Sequence, residues 1–90
     1  MQFEWDDSKR SRNLVKHGVD FVLAALVFLD LQRTERIEER KDYGEVRHQT
    51  IGIAKGIILL VVYTKRSDVI RIISARKANR YERKTYLQHQ

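Results

Sequence analysis

The chain has 90 residues, 42% hydrophobic and 33% charged, with no cysteine, three histidines and a formal net charge of +6. That length is one domain, able to bury about 60–65% of its unfolded surface, and its clustered apolar residues argue against disorder. No disulfide framework or thiolate metal site is possible, scattered histidines give no zinc-ligand spacing, and the nine-residue apolar run from Phe21 to Leu29 is far short of the about 20 residues that cross a membrane.

The opening Phe3-Glu4-Trp5-Asp6-Asp7 lacks the basic-then-apolar texture of a signal peptide, so the expected location is the cytoplasm, with no membrane partner. Gln2–Trp5 alternates and reads as an edge strand. Asp6 or Asp7 can cap a helix that runs to His17 and stops at Gly18, a residue suited to the left-handed conformation after a helix. This helix is polar, with Leu14 and Val15 its main apolar side chains, and is expected on the surface. Asp20 can cap a second helix over Phe21–Leu29, with Ala24-Ala25 at its centre.

From Arg33 the texture changes. Arg33–Glu39 is a charged strand of the kind that protects a sheet edge. Asp42-Tyr43-Gly44 reads as a turn. Val46–Ala54 and Ile57–Thr64 are strands joined at Lys55-Gly56, Lys65–Asp68 is a further turn, and Val69–Ala75 is a fifth strand. Ile57–Tyr63 is apolar throughout, which places it centrally, covered on both faces. Asn79-Arg80-Tyr81-Glu82 has the form of a capping box that opens a last helix. The predicted fold is α+β: a mostly antiparallel twisted sheet, an N-terminal helical pair on one face, and a C-terminal helix.

Register follows from the turns. A two-residue turn at Lys55-Gly56 sets residue 48 opposite 63, and a four-residue loop at Lys65–Asp68 sets 63 opposite 70. One face then carries Ile51, Ile53, Ile58, Leu60, Val62, Ile73 and Ala75 and should receive the helical pair. The other carries His48, Thr50, Tyr63, Ser74 and Arg76 among Leu59, Val61, Ile70 and Ile72, with the last helix partly covering it.

Charge is unevenly placed. Residues 1–64 hold ten Lys/Arg against ten Asp/Glu, whereas residues 65–90 hold eight Lys/Arg against Asp68 and Glu82. The whole net charge therefore lies in the last 26 residues, an electrostatic footprint for nucleic acid or an acidic partner. The four glycines are isolated and form no phosphate loop, and no Ser-His-Asp spacing or zinc-protease motif is present. What remains is Arg, Lys, Tyr, Glu and His, a set that can cut RNA with neither metal nor cofactor. The ribose 2′-hydroxyl is an internal nucleophile, so the protein needs a base, an acid and cations for the phosphorane.

Phe3-Glu4-Trp5-Asp6, Asn13 with Lys16-His17-Gly18-Val19, Phe21, Ala24 and Val27-Phe28 with Asp30 resemble the opening of BrnT toxins. Tyr43-Gly44-Glu45 with Arg47, Ile51-Gly52, Val62-Tyr63-Thr64 with Arg66, Arg71-Ile72-Ile73-Ser74-Ala75-Arg76-Lys77-Ala78, and Glu82-Arg83 with Tyr86 resemble the remainder, so the likeness spans residues 3–86. Leu31 departs from it, standing where the family usually has proline. The resemblance implies a RelE/ParE-like fold and an endoribonuclease toxin that blocks protein synthesis. It also implies neutralisation by a cognate BrnA-like DNA-binding antitoxin, in a complex that represses its own operon. A ParE-like toxin acting on a protein such as DNA gyrase, and a passive nucleic-acid-binding module, are the alternative classes.

The expected catalytic set is Arg76, Arg83, Arg66, Glu82 and Tyr86, with RNA-binding cations Lys65, Arg71, Lys77, Arg80 and Lys84. Arg76 would hold the scissile phosphate. Glu82 could act as base, although its capping-box position gives it a structural job as well. Arg83 and Tyr86 are three residues apart on one helix face. His48, His17, Tyr63 and Trp5 are read mainly as structural. Under the expected register Arg66 and Arg76 lie at opposite ends of the hairpins, six or seven residues apart at about 3.3 Å each. One phosphate cannot touch both, so either the groove is long or the register differs.

Overall fold

The computed structural model describes residues 1–42 and 44–90, with residues 39–42 described by their backbone alone. In chain order the elements are β1 (Gln2–Glu4), α1 (Asp7–His17), α2 (Phe21–Leu26) continued by a 3-10 turn (Val27–Leu29), β2 (Thr34–Asp42), β3 (Glu45–Ala54), β4 (Ile57–Arg66), β5 (Val69–Lys77) and α3 (Arg80–Gln88). The turn expected at Asp42-Tyr43-Gly44 includes Tyr43, which lies outside the described residues.

The helices begin where local chemistry says they should. The Asp6 carboxylate accepts from the Lys9 amide at 3.0 Å, and the Gly18 amide, at φ 70°, closes α1 on the Leu14 carbonyl. Asp20 accepts from the Val22 amide at 3.1 Å and is gripped by the Arg10 guanidinium through two bonds, of 2.7 and 3.0 Å. Asn79 and Glu82 form the reciprocal capping box of α3.

One five-stranded sheet has the order β1-β5-β4-β3-β2. Apolar β4 is the central strand. The short β1 runs parallel to β5, and the other pairs are antiparallel. The β3–β4 register is the expected one, with His48 opposite Tyr63 and Ala54 opposite Ile57. The β4–β5 register is not. Arg66 pairs with Val69, so the loop is only Ser67-Asp68, and Ser67 takes φ 56°. Closing the loop with two residues lets Lys65 and Arg66 satisfy their backbone groups in the ladder. A bulge follows: Tyr63 opposes Ile72, but Val62 opposes Ser74 and Leu60 opposes Arg76. The extra residue reverses the alternation of the rest of β5.

The two faces are covered the opposite way round from the sequence expectation. Helices α1 and α2 pack on Leu59, Val61, Tyr63, Ile70, Ile72 and Ala75, with Phe21, Ala24, Val27 and Phe28 filling the core. Helix α3 covers Ile51, Leu60 and Val62 through Ala78 and Tyr86. Thr50 and Tyr63 give the first face its polar look in the sequence. Both hydroxyls find partners at its margin: Tyr63 donates to Glu35 Oε1 and Thr50 to the Thr34 carbonyl, each at 2.7 Å. Their apolar bodies can therefore be fully buried.

Two small residues fix how closely the helical pair sits. A Cβ on Gly52 would lie 2.7 Å from Val27 Cγ1 and 3.0 Å from Arg33 Cβ, so only glycine admits the 3-10 turn at that distance. Asn13, not Leu14 or Val15, docks α1. Its amide nitrogen donates to the carbonyls of Val19 and Ala75 at 2.8 Å each, and its oxygen accepts from the Ala75 amide at 3.1 Å.

Candidate functional site

The bulge decides which face Arg76 joins. Because Arg76 opposes Leu60, it lies on the α3 face, as does Arg71, which opposes Thr64. Four residues of β4 separate these rows, about 13 Å. Arg66 lies on the same face two residues further toward the hairpin tip. Helix α3 covers only one end of this face. The other end is an open, shallow cavity of about 230 Å³, lined by Lys9, Glu45, Arg47, Thr64, Arg66 and Arg71.

At the covered end, Arg76 is held by a fork. Its Nη1 donates to Glu82 Oε1 at 2.7 Å and its Nη2 to Oε2 at 2.9 Å. Glu82 Oε1 also accepts from the Asn79 amide at 2.8 Å. The Arg76 guanidinium holds the Glu82 carboxyl below its ordinary range, with the Asn79 amide assisting. Glu82 is thus ionised and occupied on both oxygens, a poor proton acceptor and a firm mount for Arg76. Arg83, one residue on, is exposed and donates to the Ala78 carbonyl at 2.9 Å.

Tyr86 is buried, and its hydroxyl donates to Asp30 Oδ2. Burial, reinforced by Asp30, pushes the phenol up to about 12. Asp30 Oδ2 also accepts from the Ile53 amide at 2.9 Å, so this carboxylate ties α3, β3 and the end of the 3-10 turn together.

At the open end, Arg66 pairs with Glu45, its Nε donating at 3.0 Å, and Arg71 Nη1 lies 3.4 Å from Glu4. The structure thus brings Arg66, Arg71 and Arg76 onto one face. It does not bring Lys65 there: that residue alternates to the opposite face, in a cavity with Arg33 and Glu35. Lys77, Arg80 and Lys84 are exposed, the first at the end of β5 and the others on α3. His48 stacks on Tyr63 on the helical face with ring centroids 5.3 Å apart, and burial, with Lys65 nearby, lowers its pKa.

Three cations near the arginine face stand outside the expected site: Arg47, quoted only among the residues of the family resemblance, Lys9, and Arg36, whose Nε donates to Gln49 at 2.8 Å. Arg47 alternates with Gln49 and Ile51, so β3 alone could have placed it. Lys9 required knowing where α1 docks. Lys9 and Arg47 join Arg66 and Arg71 around one open cavity, an arginine-rich surface whose planar guanidinium groups suit phosphate oxygens.

Residues 5–82 match the family model described as the ribonuclease toxin, BrnT, of type II toxin–antitoxin systems. No curated protein matches the chain. The matched span takes in the arginines of β3, β4 and β5 and ends at Glu82, before Arg83 and Tyr86. Since it covers most of the sequence, the chain belongs to the BrnT family of type II ribonuclease toxins.

Proposed function

We propose that the α3 face of the sheet binds single-stranded RNA and cuts it by attack of a ribose 2′-oxygen on the adjacent phosphorus. As the new P–O2′ bond forms, the 2′-hydroxyl gives its proton to water; the P–O5′ bond breaks and the leaving 5′-oxygen takes a proton from water, so the products are a 2′,3′-cyclic phosphate and a 5′-hydroxyl. One observation carries this reading: the β5 bulge puts Arg76 on the same face as Arg71 and Arg66. Arg76, aimed by Glu82 and flanked by Arg83, is assigned the scissile phosphate. Its fixed cation meets the charge that develops on the phosphorane, so no metal is required. Arg66 and Arg71 hold phosphates further along the strand, and Arg80 and Lys84 add outer contacts, whereas Lys77, opposite Leu59, belongs to the face of the helical pair. Tyr86 anchors α3.

A type II toxin has a cognate antitoxin. Here we propose a BrnA-like DNA-binding protein that covers the basic face, stops the toxin from inhibiting protein synthesis and represses the shared operon. The order of elements, with a helical pair on one face and a final helix on the other, supports a RelE/ParE-like fold. Purified protein incubated with total RNA in EDTA should yield fragments with cyclic phosphate ends. Activity that vanishes in EDTA and returns with magnesium would overturn the mechanism.

A further inference from the structure

The N-terminal two-thirds of the chain sums to zero charge, yet the fold sorts its cations by face. Lys9, Arg12 and Lys16 are spaced i, i+3, i+7 on α1 and so form one stripe. All three are exposed, and among the described residues none of them sits in an ion pair. Asn13 fixes the rotation of the helix. Its three hydrogen bonds, to the Val19 carbonyl and to both backbone groups of Ala75, turn the stripe toward the outer edge of β5. Beyond Arg71 no strand pairs with this edge among the described residues, because β1 pairs only with Val69, Ile70 and Arg71, and Asn13 takes up the backbone groups of Ala75 in its place.

The stripe is continuous with the arginine face. A second shallow cavity, of about 330 Å³, is lined by Lys9, Arg12, Lys16, His17, Ile73 and Ser74. It shares Lys9 and Ile73 with the cavity that holds Arg47, Arg66 and Arg71. Ile73 and Ser74 are the bulge itself, and Asn13 sits against Ala75, the neighbour of Arg76.

We infer that the Lys9–Arg12–Lys16 stripe of α1 is a second phosphate-binding track, which carries the flank of a single-stranded RNA past the β5 bulge toward Arg76. This rests on the RNA-cleaving reading above and adds the path of the substrate. RNA is favoured over an acidic protein segment because the stripe is a row of cations one helical turn apart that runs on, through Lys9, into the cavity of Arg47, Arg66 and Arg71. A backbone of repeating phosphates matches such a continuous row of cations.

The test uses the triple variant Lys9→Gln, Arg12→Gln, Lys16→Gln, all replacements that favour helix. Binding is read on a 2′-O-methyl oligonucleotide, which cannot be cut, and cleavage on its RNA counterpart. With three phosphate-binding cations neutralised, the slope of log K against log salt should become shallower by about 2, at about 0.7 per neutralised phosphate for a single strand. KM should rise roughly tenfold or more while kcat holds, since the track positions and does not react. Unchanged affinity and slope would overturn the inference. So would a variant that keeps RNA affinity but loses its antitoxin, which would assign the stripe to the protein partner. If the wild-type protein bound the oligonucleotide in this way but never cut RNA, the reading of the active face would fail while the track stood.

Discussion

At the scale of single residues, the Arg76–Glu82 fork ties the proposed site to the stability of the fold. Removing the guanidinium with Arg76→Ala would leave a nearly buried carboxylate holding only the Asn79 amide, so a lost activity could follow from a weakened fold. Arg76→Lys separates the two. It keeps the charge but not the planar fork that orients it. Cleavage should fall about 10²-fold or more, the scale for loss of a fixed donor to transition-state charge, while the melting temperature shifts by only a few degrees. Near wild-type cleavage would take Arg76 out of the site. Glu82→Gln gives the complementary result. The folded-state pKa of Glu82 is depressed by Arg76, so its stabilisation is complete above the unfolded value of about 4.3. That contribution is lost as pH falls through the folded value. Thermal melts between pH 3 and 6 should therefore show a steeper acid loss for the wild type than for Glu82→Gln. Parallel curves would mean that the fork does not stabilise the fold.

At the scale of elements, α3 depends on a contact far from the arginines. Tyr86→Phe deletes the hydroxyl that reaches Asp30 but leaves the ring in its apolar site. A hydrogen bond to a charged group is worth about 1.5–3 kcal/mol, and the urea midpoint at neutral pH should fall accordingly. The phenol's pKa is raised to about 12 by burial and by Asp30. Its stabilisation is thus complete below the ordinary tyrosine value of about 10 and fades as pH rises toward 12. Wild type should lose more stability over that window than Tyr86→Phe, and an equal loss would show that α3 is not held by this bond. The element boundaries that local chemistry controls could be read from the residues alone: Asp6 and Gly18 around α1, Asp20 before α2, the Asn79–Glu82 box, and the β3–β4 hairpin. The β5 register could not, because it turns on Ser67 adopting a conformation that sequence patterns reserve for glycine or asparagine. The assignment of faces failed for a related reason. Counting polar residues made the face with Thr50 and Tyr63 look the more polar of the two, when each hydroxyl needed only one partner on β2 for the side chain to be buried. In the site, Arg66, Arg71 and Arg76 stood out through local charge density and through the family resemblance, which carried Arg76 above all, whereas Lys9 and Arg36 became visible only when the chain brought them to the same face.

At the scale of the whole molecule, the net charge of +6 organises both partners. An acidic antitoxin segment would be steered to the β4–β5 hairpin and α3, and forming the complex should protect residues 65–86 from amide exchange. Protection confined to residues 6–30 would contradict that placement. On the proposed reading, the same field draws RNA to the arginine face, where cleavage takes place. The most direct measurement is end-group analysis of RNA cut in EDTA, with wild type and Arg76→Lys side by side. The wild type should leave 2′,3′-cyclic phosphate and 5′-hydroxyl ends, at a rate about 10²-fold above the variant. Fragments ending in a 5′-phosphate, or equal rates from the two proteins, would overturn cleavage by 2′-oxygen attack at Arg76.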